Sequence, residues 1–199
     1  FVQKSKRKVR EYSYDFGSDA YQAMDLTILS EHITMTGIKE MAFQQEPYSV
    51  VWLCLIDGSL ISLTYNREQE LISWARQPIA GGGLVKSVSC IPSPDESFDE
   101  VWIIVERTIN SVTRKYVEKF HQEYDLTVAA NKKKAFYVDS GLVYDGASAS
   151  IISGLDHLEG REVAVWADGA VQPRRTVTGG SITLQRACTY AVIGLPYRS

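Results

Sequence analysis

Few residues in this chain are suited to acid–base chemistry or metal binding. No histidine lies in an HExxH pattern or has a cysteine at ligand spacing, and no CxxC pair is present. The cysteines are odd in number and far apart, which predicts no disulfide framework, no zinc site and folding in a reducing cytosol. The residues concerned are His32, His121, His157, Cys54, Cys90 and Cys188.

Paired carboxylates would suit glycoside hydrolysis, in which one acts as an acid and the other as a base or nucleophile. The sequence sets no distance between the candidate groups, and surface carboxylates are common, so ordinary surface positions are favoured. The candidates are Asp57, Glu68, Glu70, Glu118 and Asp125. The segment Asp156-His157-Leu158-Glu159-Gly160 also carries three polar side chains, but in a turn such residues more often form local caps and salt links.

Neither phosphate binding nor a nucleophilic serine is indicated. The segment Gly81-Gly82-Gly83-Leu84-Val85-Lys86 lacks the GxxxxGK[ST] spacing, and no GxGxxG opens a βα unit. Ser148 and Ser150 miss the GxSxG pattern, because a serine stands where the last glycine is needed. We therefore predict no catalytic residue, no cofactor and no metal site, and we expect the chain not to be an enzyme.

The composition is that of an ordinary folded protein. The 199 residues are 45% hydrophobic and 23% charged, and 21 Lys and Arg against 24 Asp and Glu give a formal net charge of −3. This excludes wholesale disorder, collagen and a polybasic nucleic-acid binder. The basic runs favour solvated arms over phosphate contacts; they comprise Lys4, Lys6, Arg7, Lys8 and Arg10, and then Lys132-Lys133-Lys134.

No membrane or secretion signal is visible in the sequence. The longest apolar run, residues 49–56, is far shorter than the roughly 18 residues of a membrane helix, which predicts no membrane partner. The first residues contain neither a methionine nor the apolar core of a signal peptide. We expect the chain to begin inside a longer protein.

Apolar residues mostly alternate in short runs, which predicts a mainly β chain. The predicted strands cover residues 8–15, 38–44, 49–56, 60–65, 71–77, 84–91, 100–107 and 113–121. One short helix is predicted over residues 25–34, with Asp25 as its cap, Leu26, Leu29 and Ile33 as an apolar stripe, and Gly37 as its stop. Asp57-Gly58 predicts a tight hairpin.

Two stretches of the chain repeat one another. Residues 38–77 and 85–121 each contain a strand, a proline loop, a strand with one tryptophan (Trp52 or Trp102) and a turn. A period of about 40 to 50 residues is typical of four-stranded propeller blades, although any antiparallel meander can contain two similar hairpins. Two blades cannot close a ring, so other sequence, partners or a different packing must cover them.

From about Leu142 the strands become shorter and glycines more frequent. Residues 162–167, 174–177, 181–185 and 191–194 predict a small C-terminal β-barrel or sandwich domain. We therefore predict two domains, a propeller-like one over residues 1–130 and a small β domain over residues 131–199, with the boundary between Tyr124 and Gly141.

Particular motifs are found in both halves of the chain. The N-terminal motifs are Arg7-Lys8-Val9-Arg10-Glu11, Asp25-Leu26-Thr27, Glu31-His32, Trp52, Asp57-Gly58, Leu60, Leu63-Thr64-Tyr65-Asn66-Arg67-Glu68-Gln69, Trp74, Val101-Trp102, Glu106-Arg107 and Tyr116-Val117-Glu118. The C-terminal motifs are Ser153-Gly154-Leu155-Asp156-His157-Leu158-Glu159-Gly160, Val163, Ala167-Asp168-Gly169, Val177, Gly179-Gly180, Ile182-Thr183-Leu184 and Val192-Ile193-Gly194-Leu195-Pro196-Tyr197. With these motifs the chain resembles the tail hub or nozzle proteins of short-tailed bacteriophages and prophages, some of them called tail tubular or DNA-stabilisation proteins.

The resemblance implies a structural role in a virion tail. Family members form a homo-oligomeric ring, six-fold in short-tailed phages, below the portal and adaptor, and genome DNA passes through it without specific binding. It further implies assembly in the host cytoplasm and contacts with other tail proteins. Two alternatives stay open on the residues alone: a propeller-type carbohydrate-binding protein and a polysaccharide-degrading enzyme.

Overall fold

The computed structural model describes residues 1–122 and 127–196, and this part of the chain is mainly β. Its thirteen strands lie in antiparallel sheets and account for about 60% of the residues. Three 3₁₀ helices, at Ala80–Gly82, Ala129–Lys134 and Asp156–Leu158, interrupt the strands in the described ranges. No helix in those ranges has the length and apolar character to cross a membrane.

The chain forms two compact units that alternate along the sequence. The first comprises Phe1–Pro78 and Leu84–Val105, and the second comprises Ile79–Gly83 and Glu106–Ser199. The predicted boundary at residues 130/131 lies within the second unit and stays a prediction. Part of the predicted boundary region, residues 124–126, falls outside the described residues.

The first unit begins with a two-stranded hairpin. Its strands are β1 (Arg10–Asp15) and β2 (Ala20–Asp25), and Tyr14 lies opposite Tyr21 in their register. Residues 1–3 extend the hairpin, since the backbones of Phe1 and Arg10 exchange two hydrogen bonds of 2.8 Å.

A four-stranded meander follows in the first unit, formed by β3 (Ile38–Gln44), β4 (Val50–Leu55), β5 (Leu60–Asn66) and β6 (Leu71–Gln77). The predicted bounds of β3 and β6 are confirmed. The predicted tight turn joins β4 to β5, where the Asp57 carboxylate accepts the Ser59 N–H at 2.9 Å and Gly58 has a φ of +87°. The core beneath the meander comprises Val9, Leu26, Ile38, Leu53, Leu55, Ile61 and Leu63.

The predicted helix over residues 25–34 is wrong, because this segment forms a series of separate turns. The Ser30 N–H binds the Thr27 carbonyl and the Ile33 N–H binds the Ser30 carbonyl, but no continuous helical ladder forms. Leu26 is buried, whereas Leu29, on the predicted apolar stripe, is 90% exposed. The apolar residues therefore have the spacing of an amphipathic helix, but they are not all buried in the core as such a helix would need.

Asp25 nevertheless caps the first of these turns. Its carboxylate accepts the Thr27 N–H at 2.9 Å and the Thr27 hydroxyl at 2.5 Å, and it pairs with the Lys8 ammonium at 2.9 Å. Lys8 also pairs with Glu31 at 2.7 Å. Desolvation opposes ionisation of Asp25, but the Thr27 and Lys8 hydrogen bonds outweigh it and lower its pKa to about 2.

A third sheet has the strand order β7 (Leu84–Pro92), β8 (Asp99–Ile109), β9 (Val112–Lys119). Alternate residues of β8 are buried from Val101 to Ile109, as the apolar alternation predicts. Asn110 and Ser111, both with positive φ, form the turn into β9.

The second unit contains another four-stranded sheet, with the order β10 (Asp139–Ser153), β13 (Ser181–Leu195), β11 (Glu162–Ala167), β12 (Ala170–Thr176). The strands predicted at residues 181–185 and 191–194 are two parts of the single strand β13. The core of the second unit comprises Ala80, Ile152, Leu155, Leu158, Val163, Val165, Ala167, Val177, Ile182, Leu184, Cys188, Ala191, Ile193 and Leu195.

We expect Gly58→Ala to destabilise the first unit by about 3 kcal/mol, since the positive φ penalises a side chain and its Cβ would lie 2.9 Å from the Leu84 Cβ and 3.2 Å from the Leu84 Cα. Urea unfolding measures the loss. Gly37→Ala is the matched control: Gly37 also has a positive φ, but its Cβ would meet the tip of the exposed Ile56 side chain, which can rotate away. Equal losses in the two variants would contradict the steric argument.

We expect Asp25→Asn to lower the free energy of unfolding by about 1 kcal/mol at pH 7, because a carboxylate with a lowered pKa stabilises the fold only while it is ionised. The difference from the wild type should be constant above about pH 5 and should shrink as the pH falls from about 4, near the ordinary pKa of 3.8, towards 2. Urea unfolding at pH 7, 4 and 2.5 measures it. Glu68→Gln, in the exposed turn after β5, should leave the pH profile unchanged, and a pH-independent loss in Asp25→Asn would refute the linkage.

Candidate functional site

The second unit has a cavity of about 360 Å³ that brings polar side chains together. Arg114 and Tyr116 come from β9, Asp156 and Glu159 from the 3₁₀ helix after β10 and the residue that follows it, and Gly180 from the loop before β13. The remaining lining residues are Ile109, Asn110, Val112 and Gly179.

Two glycines let the wall of this cavity close around its carboxylates. Both oxygens of Glu159 accept backbone N–H groups, from Gly179 at 3.1 Å and from Gly180 at 2.8 Å. Gly180 has a φ of +66°, and a Cβ there would overlap the Asp156 carboxylate. Gly180 is therefore required for this loop to lie directly against Asp156, whereas a Cβ on Gly179 would meet no atom within 4 Å.

The cavity is lined by groups that can accept and donate hydrogen bonds. Because Glu159 uses both carboxylate oxygens on the backbone, its main effect is to hold the glycine loop in place. Asp156, the Arg114 guanidinium and the Tyr116 hydroxyl are the groups that can reach a polar ligand. Two carboxylates nevertheless line one concave site, which is the feature that a polysaccharide-degrading enzyme requires.

The carboxylates considered from the sequence do not line this cavity. Asp57 caps the β4–β5 turn, Glu68 and Glu70 are exposed in the β5–β6 turn, and Glu118 pairs with Arg107. Asp125 lies outside the described residues. Asp156 and Glu159, flagged as a polar turn, do line it, while Arg114 and Tyr116 carry no local signal that could have associated them with residues 156–159.

The other candidate groups have structural surroundings. His32 is exposed, His121 stacks on Phe136 with ring centroids 4.7 Å apart, and the His157 Nε2 lies 3.0 Å from the Ser140 carbonyl oxygen. Ser148 and Ser150 are exposed on β10. Within residues 1–122 and 127–196, no three His, Cys, Asp or Glu side chains are grouped as metal ligands.

The three cysteines are free thiols. Cys54 and Cys188 are buried and Cys90 is half-buried. Burial raises the pKa of all three thiols, that of Cys90 to about 11, with a further contribution from Asp99. A raised thiol pKa lowers the fraction of thiolate, which is the nucleophilic form.

A buried ionic cluster in the second unit was not predicted from the sequence. Arg107, which is 1% exposed, pairs with Glu118 through two hydrogen bonds of 2.9 Å. Its Nη1 donates to the Ala80 carbonyl, and the Ala80 N–H donates to Asp139 Oδ2 at 2.6 Å. Arg107 occupies an inward-facing position of β8, in the same alternating series as Val101, Ile103 and Val105. A charged residue within that apolar series was the sequence feature from which the cluster could have been predicted.

Asp139 completes the cluster, and desolvation raises its pKa. The Ala80 N–H and the charge of Arg107 act in the opposite direction. Within the glycine triplet, Gly81 has a structural explanation, since a Cβ there would lie 2.8 Å from the Leu195 Cδ1. The neighbouring Ala80 is held through both its N–H and its carbonyl group.

The tryptophans support the sheets and are not exposed. Trp52 is buried, and Trp74, Trp102 and Trp166 are half-buried. Trp74 donates to the Leu26 carbonyl at 3.0 Å and Trp166 to the Lys132 carbonyl at 3.2 Å. Exposed aromatic side chains occur elsewhere, however, on the β1–β2 hairpin.

The predicted basic runs separate into paired and exposed residues. Lys8 pairs with Asp25 and Glu31, and Arg10 donates to the Ala23 carbonyl at 2.8 Å. Lys4, Lys6 and Arg7 are exposed in the turn before β1. Lys132, Lys133 and Lys134 are exposed at the end of their 3₁₀ helix.

Comparison of the sequence with models of known protein families finds no match, and comparison with curated proteins finds none either.

We expect Glu118→Gln to destabilise the second unit by about 3 to 5 kcal/mol, because it leaves the buried Arg107 charge without its counter-ion. The double variant Arg107→Met/Glu118→Leu should lose much less, since it removes both charges and keeps apolar volume. Guanidinium unfolding measures both. Glu162→Gln, which breaks the exposed pair with Arg174, should change stability by less than about 0.5 kcal/mol. A loss in Glu118→Gln as small as that control would contradict the importance of the buried pair.

Proposed function

We propose that this chain is a structural component of a bacteriophage or prophage tail, part of a hub or nozzle ring below the portal and adaptor. The observation that carries the proposal is the open meander β3–β6, followed by the antiparallel sheet β7–β9, in the region that contains the N-terminal motifs of the resemblance. These are the two repeated stretches that we interpret as propeller-like blades.

Exposed apolar residues on the outer strands support a role in assembly. Phe43 on β3 is 55% exposed and Val117 on β9 is 69% exposed, and Ile72 on β6 is also exposed. Edge strands of monomeric proteins are commonly protected by charges or proline. Apolar edges of this kind suit contacts with ring neighbours or with other tail proteins.

The second unit is compatible with the small β-barrel or sandwich domain of this proposal. Long strand β13 pairs with β10 on one side and β11 on the other, and the side chain of Gln172 on β12 binds the backbone of Arg186 on β13 at 3.0 Å. Of the C-terminal segment Gly194-Leu195-Pro196-Tyr197, Gly194 and Leu195 are buried in the second unit, so a ring neighbour would contact this segment at the half-buried Pro196; Tyr197 lies outside the described residues.

The charge of the chain suits a conduit for DNA. Each phosphate that a cation neutralises adds affinity and would hold the genome back. A net charge of −3 avoids that retention and favours passage without specific binding. In this proposal the protein is assembled in the host cytoplasm and acts in the virion tail, with neither membrane nor cofactor as a partner.

A second candidate function is binding or degradation of surface polysaccharide. It is favoured by the cavity that holds Asp156, Glu159, Arg114 and Tyr116, since carboxylates, a guanidinium and an aromatic ring are groups that contact sugars.

Electron microscopy of the full-length protein that contains this chain, mixed with portal and adaptor proteins, distinguishes the two functions. Rings coaxial with the portal support the tail component. Dispersed particles that bind or cleave polysaccharide, with the effect lost in Asp156→Asn, would replace it with the second candidate.

We expect Val117→Lys to reduce ring formation by the full-length protein about tenfold or more, because an exposed apolar edge residue covered by a neighbour would become a buried charge. Electron microscopy and sedimentation measure the assembled fraction. Thr113→Lys, on the same face of β9 and already exposed to solvent, is the matched control and should assemble normally. Folding of both variants should change by less than about 0.5 kcal/mol. Assembly by Val117→Lys at the level of the wild type would exclude this edge from the ring contacts.

A further inference from the structure

The β1–β2 hairpin carries a continuous row of aromatic rings on one face. Tyr12, Tyr14 and Tyr21 lie on this face, with Phe1 and Phe16 at its two ends. Adjacent ring centroids are 6.4 Å apart for Phe1 and Tyr12, 5.0 Å for Tyr12 and Tyr21, 5.2 Å for Tyr21 and Tyr14, and 4.9 Å for Tyr14 and Phe16. We call these five residues the aromatic face.

Four of the five rings of the aromatic face are exposed, while Glu11 on the opposite face of the hairpin contacts the meander of the first unit. Tyr12 is 63% exposed, Tyr21 65% and Phe16 90%. On the other face, Glu11 lies 3.4 Å from Arg67, which follows β5. Burial, with Glu11 as a further cause, raises the pKa of Tyr65 on β5 to about 12. The hairpin thus exposes the side chains that alternation would ordinarily bury.

The exposed area is large for a monomer. An aromatic side chain has roughly 150 to 250 Å² of surface, so four exposed rings and the half-buried ring of Tyr14 give about 500 Å² of exposed apolar surface. This is near the upper end of the largest patches found on monomeric proteins, which are about 300 to 600 Å² and are often functional.

The two ends of the aromatic face carry opposite charges. At the tip, Asp15 ends β1 and Asp19 lies in the turn; the Asp15 carboxylate accepts hydrogen bonds from Ser18 and Gln22, and Asp19 accepts one from the Tyr14 hydroxyl. At the base, the exposed turn before β1 carries Lys4, Lys6 and Arg7. A second copy laid antiparallel on the face would bring each acidic tip towards the other copy's basic turn.

We propose that the aromatic face binds the same face of a second copy of this chain, in an antiparallel arrangement with two-fold symmetry. The pairing covers the rings of both copies and joins opposite charges at both ends. Two faces bury roughly 1,000 Å² together, close to the lower limit for a specific interface, so the dimer is weak and dissociates at micromolar concentrations. A two-fold contact is isologous, unlike the heterologous contacts of a ring, so this proposal stands independently of the tail function.

Sedimentation equilibrium of this chain between about 5 and 500 µM tests the proposal. We expect a reversible monomer–dimer equilibrium that Tyr21→Ser weakens at least tenfold. Tyr48→Ser is the matched control, since Tyr48 is 62% exposed but lies in the β3–β4 loop, and it should dimerise as the wild type does. Circular dichroism and thermal unfolding verify that both variants are folded.

A charge variant tests the antiparallel alignment. Lys4→Glu/Lys6→Glu should also weaken the dimer several-fold at low salt, because its turn would repel the acidic tip of the other copy, and the deficit should shrink in 0.5 M NaCl as screening increases. A chain that stays monomeric at 500 µM overturns the proposal, as does a dimer that Tyr21→Ser leaves intact. A monomer that binds a polysaccharide through Tyr21 would instead assign the face to carbohydrate.

Discussion

The buried guanidinium of Arg107 is the constraint around which the second unit is arranged. Removing a charge from water costs several kcal/mol or more unless opposite charge and hydrogen bonds replace the water. Here the replacement comes from two different segments: Glu118 on β9 and the Ala80 carbonyl in the loop before β7. The register of β8 against β9 and the course of the 79–83 segment are therefore linked to one side chain.

Asp139 extends this dependence to the first residue of β10. Its carboxylate holds the N–H of the same residue whose carbonyl Arg107 holds, so Ala80 is fixed from both sides. The cavity residues Arg114 and Tyr116 lie between Arg107 and Glu118 in sequence, on the strand that Glu118 positions. The candidate site thus depends on a charge pair that does not line it.

Strands whose side chains alternate between core and solvent were the easiest to predict. The bounds of β3 and β11 follow from the alternation of apolar and polar residues, and those of β6 were also predicted although most of its side chains are exposed. By contrast, β2 is almost wholly exposed and β10 is rich in small residues and interrupted by bulges, so neither has a clear period. Asp156 and Glu159 stood out by residue type, but Arg114 and Tyr116 on β9 are forty or more residues away in sequence, and only the tertiary fold brings the four together.

The alternation of the two units along the chain has a consequence for folding during synthesis. All residues of the first unit have left the ribosome once Val105 has emerged, so that unit can fold before most of the second exists. The 79–83 segment emerges among them, yet its partners Arg107, Glu118 and Asp139 come later. Until those residues emerge, the backbone N–H and carbonyl groups of Ala80 are hydrogen-bonded to water. During this interval the 79–83 segment is an unfolded loop that chaperones and proteases can reach.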